Sequence, residues 1–164
     1  MLVCLSCIIQ ALALLLAANG APIIARDIAG TGFDVPVDFG LKIFDDQPLF
    51  GDSKTWRGLL AAIIVGVAVA MLIGLSAKQG ALFALLVLIG DLFASFTKRR
   101  LGLAPSSRSR GLDVLPESLL PVVVMNKELG LNMIDIGVVV VIFFLIEVYL
   151  SPILYRWHIR KRPY

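Results

Sequence analysis

The sequence predicts an all-α integral membrane protein with about five transmembrane helices, and three observations carry that reading. Of 164 residues, 59% are hydrophobic and only 16% are charged, and the mean hydropathy is +0.91. A water-soluble domain of this size has too little interior to hide that much apolar surface. Apolar runs over 2–18, 58–77, 80–97 and 136–154 are long enough, or nearly so, to cross a hydrocarbon layer about 30 Å thick as helices. The basic residues, finally, segregate to alternate connections between these runs.

The first run has no positively charged segment before it and reads as a retained helix rather than a cleaved signal. Cys4 and Cys7 have the C-x-x-C spacing but no second pair accompanies them, so they read as two small apolar helix residues. A long polar connection, 19–57, follows. It contains Asn19-Gly20-Ala21-Pro22 and the turn-prone Pro36-Val37-Asp38-Phe39-Gly40, with Phe33, Phe39, Phe44 and Phe50 scattered through it as suits a loop lying partly in the membrane interface. Its end, Phe50 to Gly58, brings Lys54 and Arg57 to the start of the second run, where a helix N-terminus favours anions. Within that run Gly58, Ala62, Gly66, Ala70 and Gly74 recur every four residues, a ridge of small side chains for close helix packing.

A short Lys78-Gln79 turn leads to the third run, which ends in GDLFASFTKRRLG at 90–102. On a helix Asp91, Ser95 and Lys98 share one face, and Asp91 lies roughly 10 Å inward from Lys98. A carboxylate at that depth must face protein or water. The weaker segment 112–125 holds Asp113, Glu117 and two prolines, so it spans only if neighbouring helices and a polar cavity accommodate them. The last run is apolar except for Glu147, which needs a partner or water, and His158 in the basic tail reads as an interfacial anchor.

Five crossings with the N-terminus outside put every basic residue except Lys78 and Lys127 on the cytoplasmic side. Omitting the fourth crossing would move the C-terminal basic cluster outside. The expectation is therefore a single membrane domain over 1–164, with the cytoplasmic loops 19–57 and 98–111 forming the candidate functional site. Two basic, glycine-punctuated loops at helix ends on one membrane face can converge on a polyanion. The run Gly51 to Thr55 is not a Walker A loop, because Ser53 stands where the glycine before the lysine belongs.

These motifs together resemble the CDP-archaeol synthase (CarS-like) family, membrane CTP:lipid-phosphate cytidylyltransferases related to phosphatidate cytidylyltransferases. The resemblance runs from Asn19 to about Leu120 and is carried by NGAP at 19–22, VDFG at 37–40, FGDSKTWRG at 50–58, GDLFASFTKRRLG at 90–102 and the following Leu112-Asp113. Ser95-x-x-Lys98-Arg99 is similar to part of the wider cytidylyltransferase signature, and Asp113 falls where the family places a metal-binding aspartate. Pro116 stands where that pattern has a second aspartate, and Glu117, one helical turn from Asp113, is the nearest acid.

The resemblance implies attack of a lipid phosphate on the α-phosphorus of CTP, with pyrophosphate leaving. It implies Mg²⁺ as cofactor, held by Asp91 and Asp113 with Glu117 as a further ligand. Lys54, Arg57, Lys98 and Arg99 carry the catalytic charge, and Asn19, Gly20, Gly51, Thr55, Ser95 and Arg100 bind the nucleotide. The partners implied are CTP, a lipid phosphate and the bilayer of the cell membrane, with no nucleic acid. The alternatives are a non-catalytic accessory membrane protein or a small transporter, although no inverted repeat or interrupted helix pair stands out. A CDP-alcohol phosphotransferase is not indicated, since the chain contains no Asp-Gly pair.

Overall fold

The computed structural model describes residues 3–30, 32–43, 46–103 and 110–156; Phe44, Arg108, His158 and the tail cations Arg160, Lys161 and Arg162 lie outside them. Six helices form among the described residues: α1 (Leu5–Ala29), α2 (Trp56–Leu72), α3 (Ala77–Arg100), α4 (Arg110–Val124), the short α5 (Asn126–Leu129) and α6 (Met133–Arg156). No strand forms among them, and two isolated β-bridges, Pro36 with Thr55 and Lys42 with Pro48, fold the loop after α1 back on itself. The all-helical class is as the composition predicts.

The five longer helices pack in a ring. α1 lies against α2, α2 against α3, α3 against α4, α4 against α6, and α6 back against α1. Their common core holds Leu14 and Leu15 of α1, Phe83 and Val87 of α3, Val122 of α4, and Val139 and Phe143 of α6. Outside it is a belt of exposed apolar side chains at helical spacing: Leu82, Leu85, Ile89 and Phe93 on α3, Leu112, Leu115, Leu119 and Val123 on α4, and Val141 and Leu145 on α6. Helices apolar on both faces suit a lipid solvent rather than water. α1 and α3 are long and apolar enough to cross a membrane, and α2 is a shorter apolar helix.

Several expectations are corrected, among them the Lys78-Gln79 turn, since both residues lie in the first turn of α3 after the N-cap Ser76. The loop does not begin at Asn19, because α1 continues through Asn19-Gly20-Ala21-Pro22 to Ala29. The stretch stays helical as part of a long helix packed along α2. The Asn19 amide donates to the Leu15 carbonyl 3.1 Å away, and Pro22 packs on α2, where a Cβ added at Gly58 would lie 3.2 Å from its ring. Cys4 and Cys7 are also not two free apolar residues, since they form a disulfide with Cα atoms 5.3 Å apart. Cys4 precedes the first turn of α1 and Cys7 lies within it, which brings the two Cα atoms within disulfide reach.

The small-residue ridge of α2 packs as its spacing predicts, with Gly58, Ala62, Gly66 and Ala70 buried. Gly74 is not part of it; it lies past the helix end at φ +84°, a left-handed conformation that ends the helix cheaply. Across the α2–α3 seam a Cβ on Gly66 would come within 2.8 Å of the Ala84 side chain. The closest approach is between α3 and α4, where a Cβ on Gly90 would lie 2.3 Å from the Pro116 carbonyl oxygen.

The two ends of the ring differ in character. At one end the Cys4 amide and the Asn132 amide both donate to the buried Asp135 carboxylate, at 3.1 Å each, and Gln10 donates to the Ile73 carbonyl. Asn132 and Asp135 form a reciprocal cap for α6, because Asn132 Oδ1 accepts from the Ile134 and Asp135 amides. At the other end α3, with 24 residues against 17 for α2, reaches past the start of α2 by about 10 Å. The loop after α1 packs against that overhang.

Gly90→Ala is expected to lower stability by about 1–3 kcal/mol, since its Cβ meets backbone and not a yielding side chain. Gly137→Ala, at an α6 position with open space around it, is expected to be neutral or to stabilise by about 0.5–1 kcal/mol. Thermal unfolding of both variants in one detergent checks the contrast.

Candidate active site

The loop after α1 is built around one carboxylate. Asp38, buried within the turn Pro36 to Gly40, accepts hydrogen bonds from the amides of Gly40 (3.0 Å), Phe50 (2.8 Å) and Gly51 (3.0 Å). Burial pushes its pKa up, but the three amide donors outweigh that and hold it below the ordinary aspartate value. The carboxylate thus stitches two distant parts of the loop together. Next to the stitch, the Val37 amide donates to the Lys54 carbonyl at 2.8 Å and the Trp56 amide to the Val35 carbonyl at 3.0 Å. These bonds fix the backbone on both sides of Thr55.

From that frame the Lys54 ammonium reaches Asp91 in α3, at 2.6 Å and 2.5 Å from the two carboxylate oxygens. Burial alone would lower the Lys54 pKa, yet the Asp91 carboxylate, aided by Glu117 and Asp113, holds it above the ordinary lysine value. About two turns further along α3, Lys98 pairs with Asp113 of α4 at 2.5 Å. Ser95, buried on the same face of α3, sits in sequence between the two pairs.

Glu117 completes the group. It is 7% exposed and interacts electrostatically with Asp91, Glu147, Lys54 and Asp113. The missing side chain of Gly90 explains this position, since a Cβ there would lie 2.7 Å from the Glu117 Cα. The approach that would be a clash for any other residue brings Glu117 beside Asp91. Arg99 is 3% exposed, and its Nε has no hydrogen-bond partner among the described residues. Gly51, at φ +93°, lies against it, with an added Cβ 4.0 Å from the Arg99 Cδ.

The structure therefore brings together Lys54, Asp91, Ser95, Lys98, Arg99, Asp113, Glu117 and Gly51. The other expected site residues make contacts of their own. Arg57 donates to the carbonyls of Gly30 and Gly32 and to the Asp34 carboxylate, fastening the end of α1 to the start of α2. Thr55 is the N-cap of α2, its hydroxyl accepting from the Gly58 amide at 3.3 Å. Arg100 donates to the Pro48 carbonyl at 2.8 Å and lies over the Phe96 ring. Asn19 bonds within α1, and nothing lies within 4 Å of a Cβ placed on Gly20.

Sequence reasoning overlooked Asp38 as the organiser of the loop. The signal was the Asp-x-Gly spacing of Asp38 and Gly40, in which the carboxylate accepts from the amide two residues on. No group of three or more His, Cys, Asp or Glu side chains close enough to grip a metal ion together occurs among the described residues. Asp91 and Asp113 each face a lysine instead. Mg²⁺ bound through one or two carboxylates plus substrate phosphates and water needs no such all-protein cage, so this oxygen donor set suits it.

A family model described as CarS-like, CDP-archaeol synthase, matches residues 4–164. The CDP-archaeol synthase of Sulfurisphaera tokodaii is 32% identical over 158 residues, covering 91% of this chain and 90% of that protein. That of Pyrococcus furiosus is 40% identical over 106 residues, 58% of this chain and 60% of its own length. A solved structure described as an intramembrane enzyme for archaeal membrane lipid biosynthesis superposes with a TM-score of 0.70 at 28% identity, covering 84% of this chain and 90% of that one.

Because the folded pKa of Asp38 is depressed, its contribution to stability is fully present above the ordinary aspartate value of 3.8 and is lost as pH falls through the lower folded value. The thermal midpoint is expected to drop over that acid window. Asp38→Asn is expected to lose about 1–3 kcal/mol at neutral pH and to flatten the acid limb. Unfolding curves against pH for the two proteins check this, and equal acid limbs would refute it.

Proposed function

The chain belongs to the CDP-archaeol synthase family of membrane-embedded, CTP-dependent lipid cytidylyltransferases, and we propose that its acceptor is an archaeal ether-lipid phosphate, taken from the bilayer, with the transfer occurring at the Lys54–Asp91 and Lys98–Asp113 pairs. The observation that carries the siting is the convergence of these two pairs with buried Arg99 and Glu117 at one end of the helix ring.

In the reaction an oxygen of the lipid phosphate forms a bond to the α-phosphorus of CTP, the bond from that phosphorus to the bridging oxygen breaks, and pyrophosphate leaves with the electron pair. A phosphate nucleophile is already ionised near neutral pH, so no histidine base is needed. What the step requires is in-line positioning and compensation of charge. Lys54, Lys98 and Arg99 supply the charge. Each lysine is paired with an aspartate, and a triphosphate offers the ammonium groups a second set of oxygens. Asp91 and Asp113, with Glu117 beside them, would hold Mg²⁺, which when bound neutralises phosphate charge. Arg57, Thr55 and Arg100 serve the site by fastening the loop and helix end that present Lys54 and Gly51.

We further propose that α1, α2, α3, α4 and α6 each cross the cell membrane, with the N-terminus outside and the site on the cytoplasmic face, as the distribution of basic residues supports. The Cys4–Cys7 disulfide lies at the opposite end of the ring, in keeping with an oxidising exterior. In a chain with both cysteines replaced by serine, Ser76→Cys is expected to react with an impermeant maleimide in sealed right-side-out vesicles. Ser53→Cys is expected to react only after permeabilisation, and ready labelling of it from outside would invert the topology.

The activity is tested with labelled CTP and a panel of lipid phosphates, archaeal ether-lipid phosphate and phosphatidic acid among them, with identification of the lipid product. Lys54→Gln is expected to raise the KM for CTP about tenfold to a hundredfold, the range for loss of a charge-assisted phosphate contact. Asp91→Asn and Asp113→Asn keep side-chain size and are each expected to abolish Mg²⁺-dependent turnover, with Glu117→Gln doing less. A wild-type Mg²⁺ response in both aspartate variants would exclude the site.

A further inference from the structure

We propose that Phe39 and Trp56 seat the loop around Asp38 in the headgroup layer of the bilayer, and that this seat holds Gly51 against Arg99. The inference rests on the reading of α2 as a membrane crossing. Phe39 is 72% exposed, yet its ring lies 6.4 Å from that of Trp56, the first residue of α2. Trp56, Leu60 and Ile64 are exposed at spacings of four, so they line one outward face of α2. Phe39 extends that face beyond the helix, and the exposed Leu41 lies two residues further on.

The backbone makes the choice of residue telling. Phe39 adopts φ +49° and Gly40 φ +76°, consecutive left-handed residues in a turn closed by the Asp38 carboxylate. A bulky aromatic is a poor fit to that conformation, and glycine or asparagine would make the same turn with less strain. In water most of the ring surface would be hydrated, since Phe39 is 72% exposed. An aromatic at this position is accounted for by an apolar partner outside the chain, and the membrane interface is where Trp and other aromatic rings are favoured. The bilayer is the occupant because the patch continues the lipid-facing side of α2 without a break.

The seat has a direct route to the site. Asp38, next to Phe39, grips the Phe50 and Gly51 amides, and Gly51 abuts the Arg99 side chain. Phe39 is thus a positioning residue that acts through Asp38.

The test uses full-length protein in vesicles of lipids brominated either near the headgroup or near the bilayer centre, with Trp157→Phe so that Trp56 alone fluoresces. Trp56, and separately Phe39→Trp in a Trp56→Phe, Trp157→Phe background, are expected to be quenched by the shallow bromines more than by the deep ones. Ile64→Trp in that background is expected to be quenched by the deep ones. Quenching at position 64 without quenching at 39 and 56 overturns the seat and leaves the crossing intact. Absence of quenching at all three overturns both, and quenching that appears only on dilution into excess lipid assigns the patch to a second copy of the chain and overturns the inference. Phe39→Gly keeps the turn and removes the ring, so it is expected to raise the KM for CTP about tenfold with kcat little changed, the scale of one lost aromatic anchor. Phe39→Trp is expected to restore the wild-type KM, and an unchanged KM in Phe39→Gly would refute the link to Arg99.

Discussion

The ion pair between Lys54 and Asp91 ties the loop that precedes α2 to a carboxylate set well inside α3, in surroundings where neither charge is tolerated alone. Both side chains are largely but not wholly covered, at 22% and 25% exposure. Removing one partner from a buried pair costs about 3–5 kcal/mol, and partial exposure here points to the lower end of that range. The arrangement has a price in desolvation that a pair of well-packed apolar residues would avoid. A pair kept in spite of that cost, next to a second one at Lys98 and Asp113, suits a site built to receive a polyanion.

The cations divide by geometry. Arg57 and Arg100 use the planar, many-donor guanidinium to span several backbone carbonyls at once, Gly30 and Gly32 in one case and the Gln47–Pro48 corner in the other. They hold the loop on the helix ends. Lys54 and Lys98 are compact charges on flexible stems and can exchange one oxygen partner for another. Arg99 belongs with the lysines by position: it is buried and lies beside Gly51. The two glycines that matter most act by what they lack, Gly51 permitting a left-handed turn against Arg99 and Gly90 admitting the backbone of α4 so that Glu117 lies near Asp91.

Much of this was legible in the sequence. Composition and run length gave the membrane class, and the four-residue spacing of Gly58, Ala62, Gly66 and Ala70 gave the packing face of α2. The shared helical face of Asp91, Ser95 and Lys98 gave one side of the site. Three features were less accessible. The Asn19 to Pro22 stretch looks like a turn because its residues favour turns, and the packing of α1 along α2 overrides that preference. Arg57 and Lys54 are indistinguishable as basic residues at a helix start, and only the carbonyls of Gly30 and Gly32 show that Arg57 is engaged elsewhere. The Asp38 stitch depends on Phe50 and Gly51, residues too far along the chain for local pattern reading to connect.

A charge exchange separates a structural ion pair from a working one. In the Lys54→Asp, Asp91→Lys double variant the pair can re-form with its polarity reversed, so folding survives if attraction is all that the pair provides. CTP-dependent cytidylyl transfer by this variant, measured beside its thermal unfolding, is the decisive quantity. A folded protein with no transfer is the expected result, because the ammonium then stands on α3 and the carboxylate on the loop beside the phosphates. Wild-type transfer by the exchanged pair would contradict a role for Lys54 and Asp91 in the reaction and leave them as a structural brace.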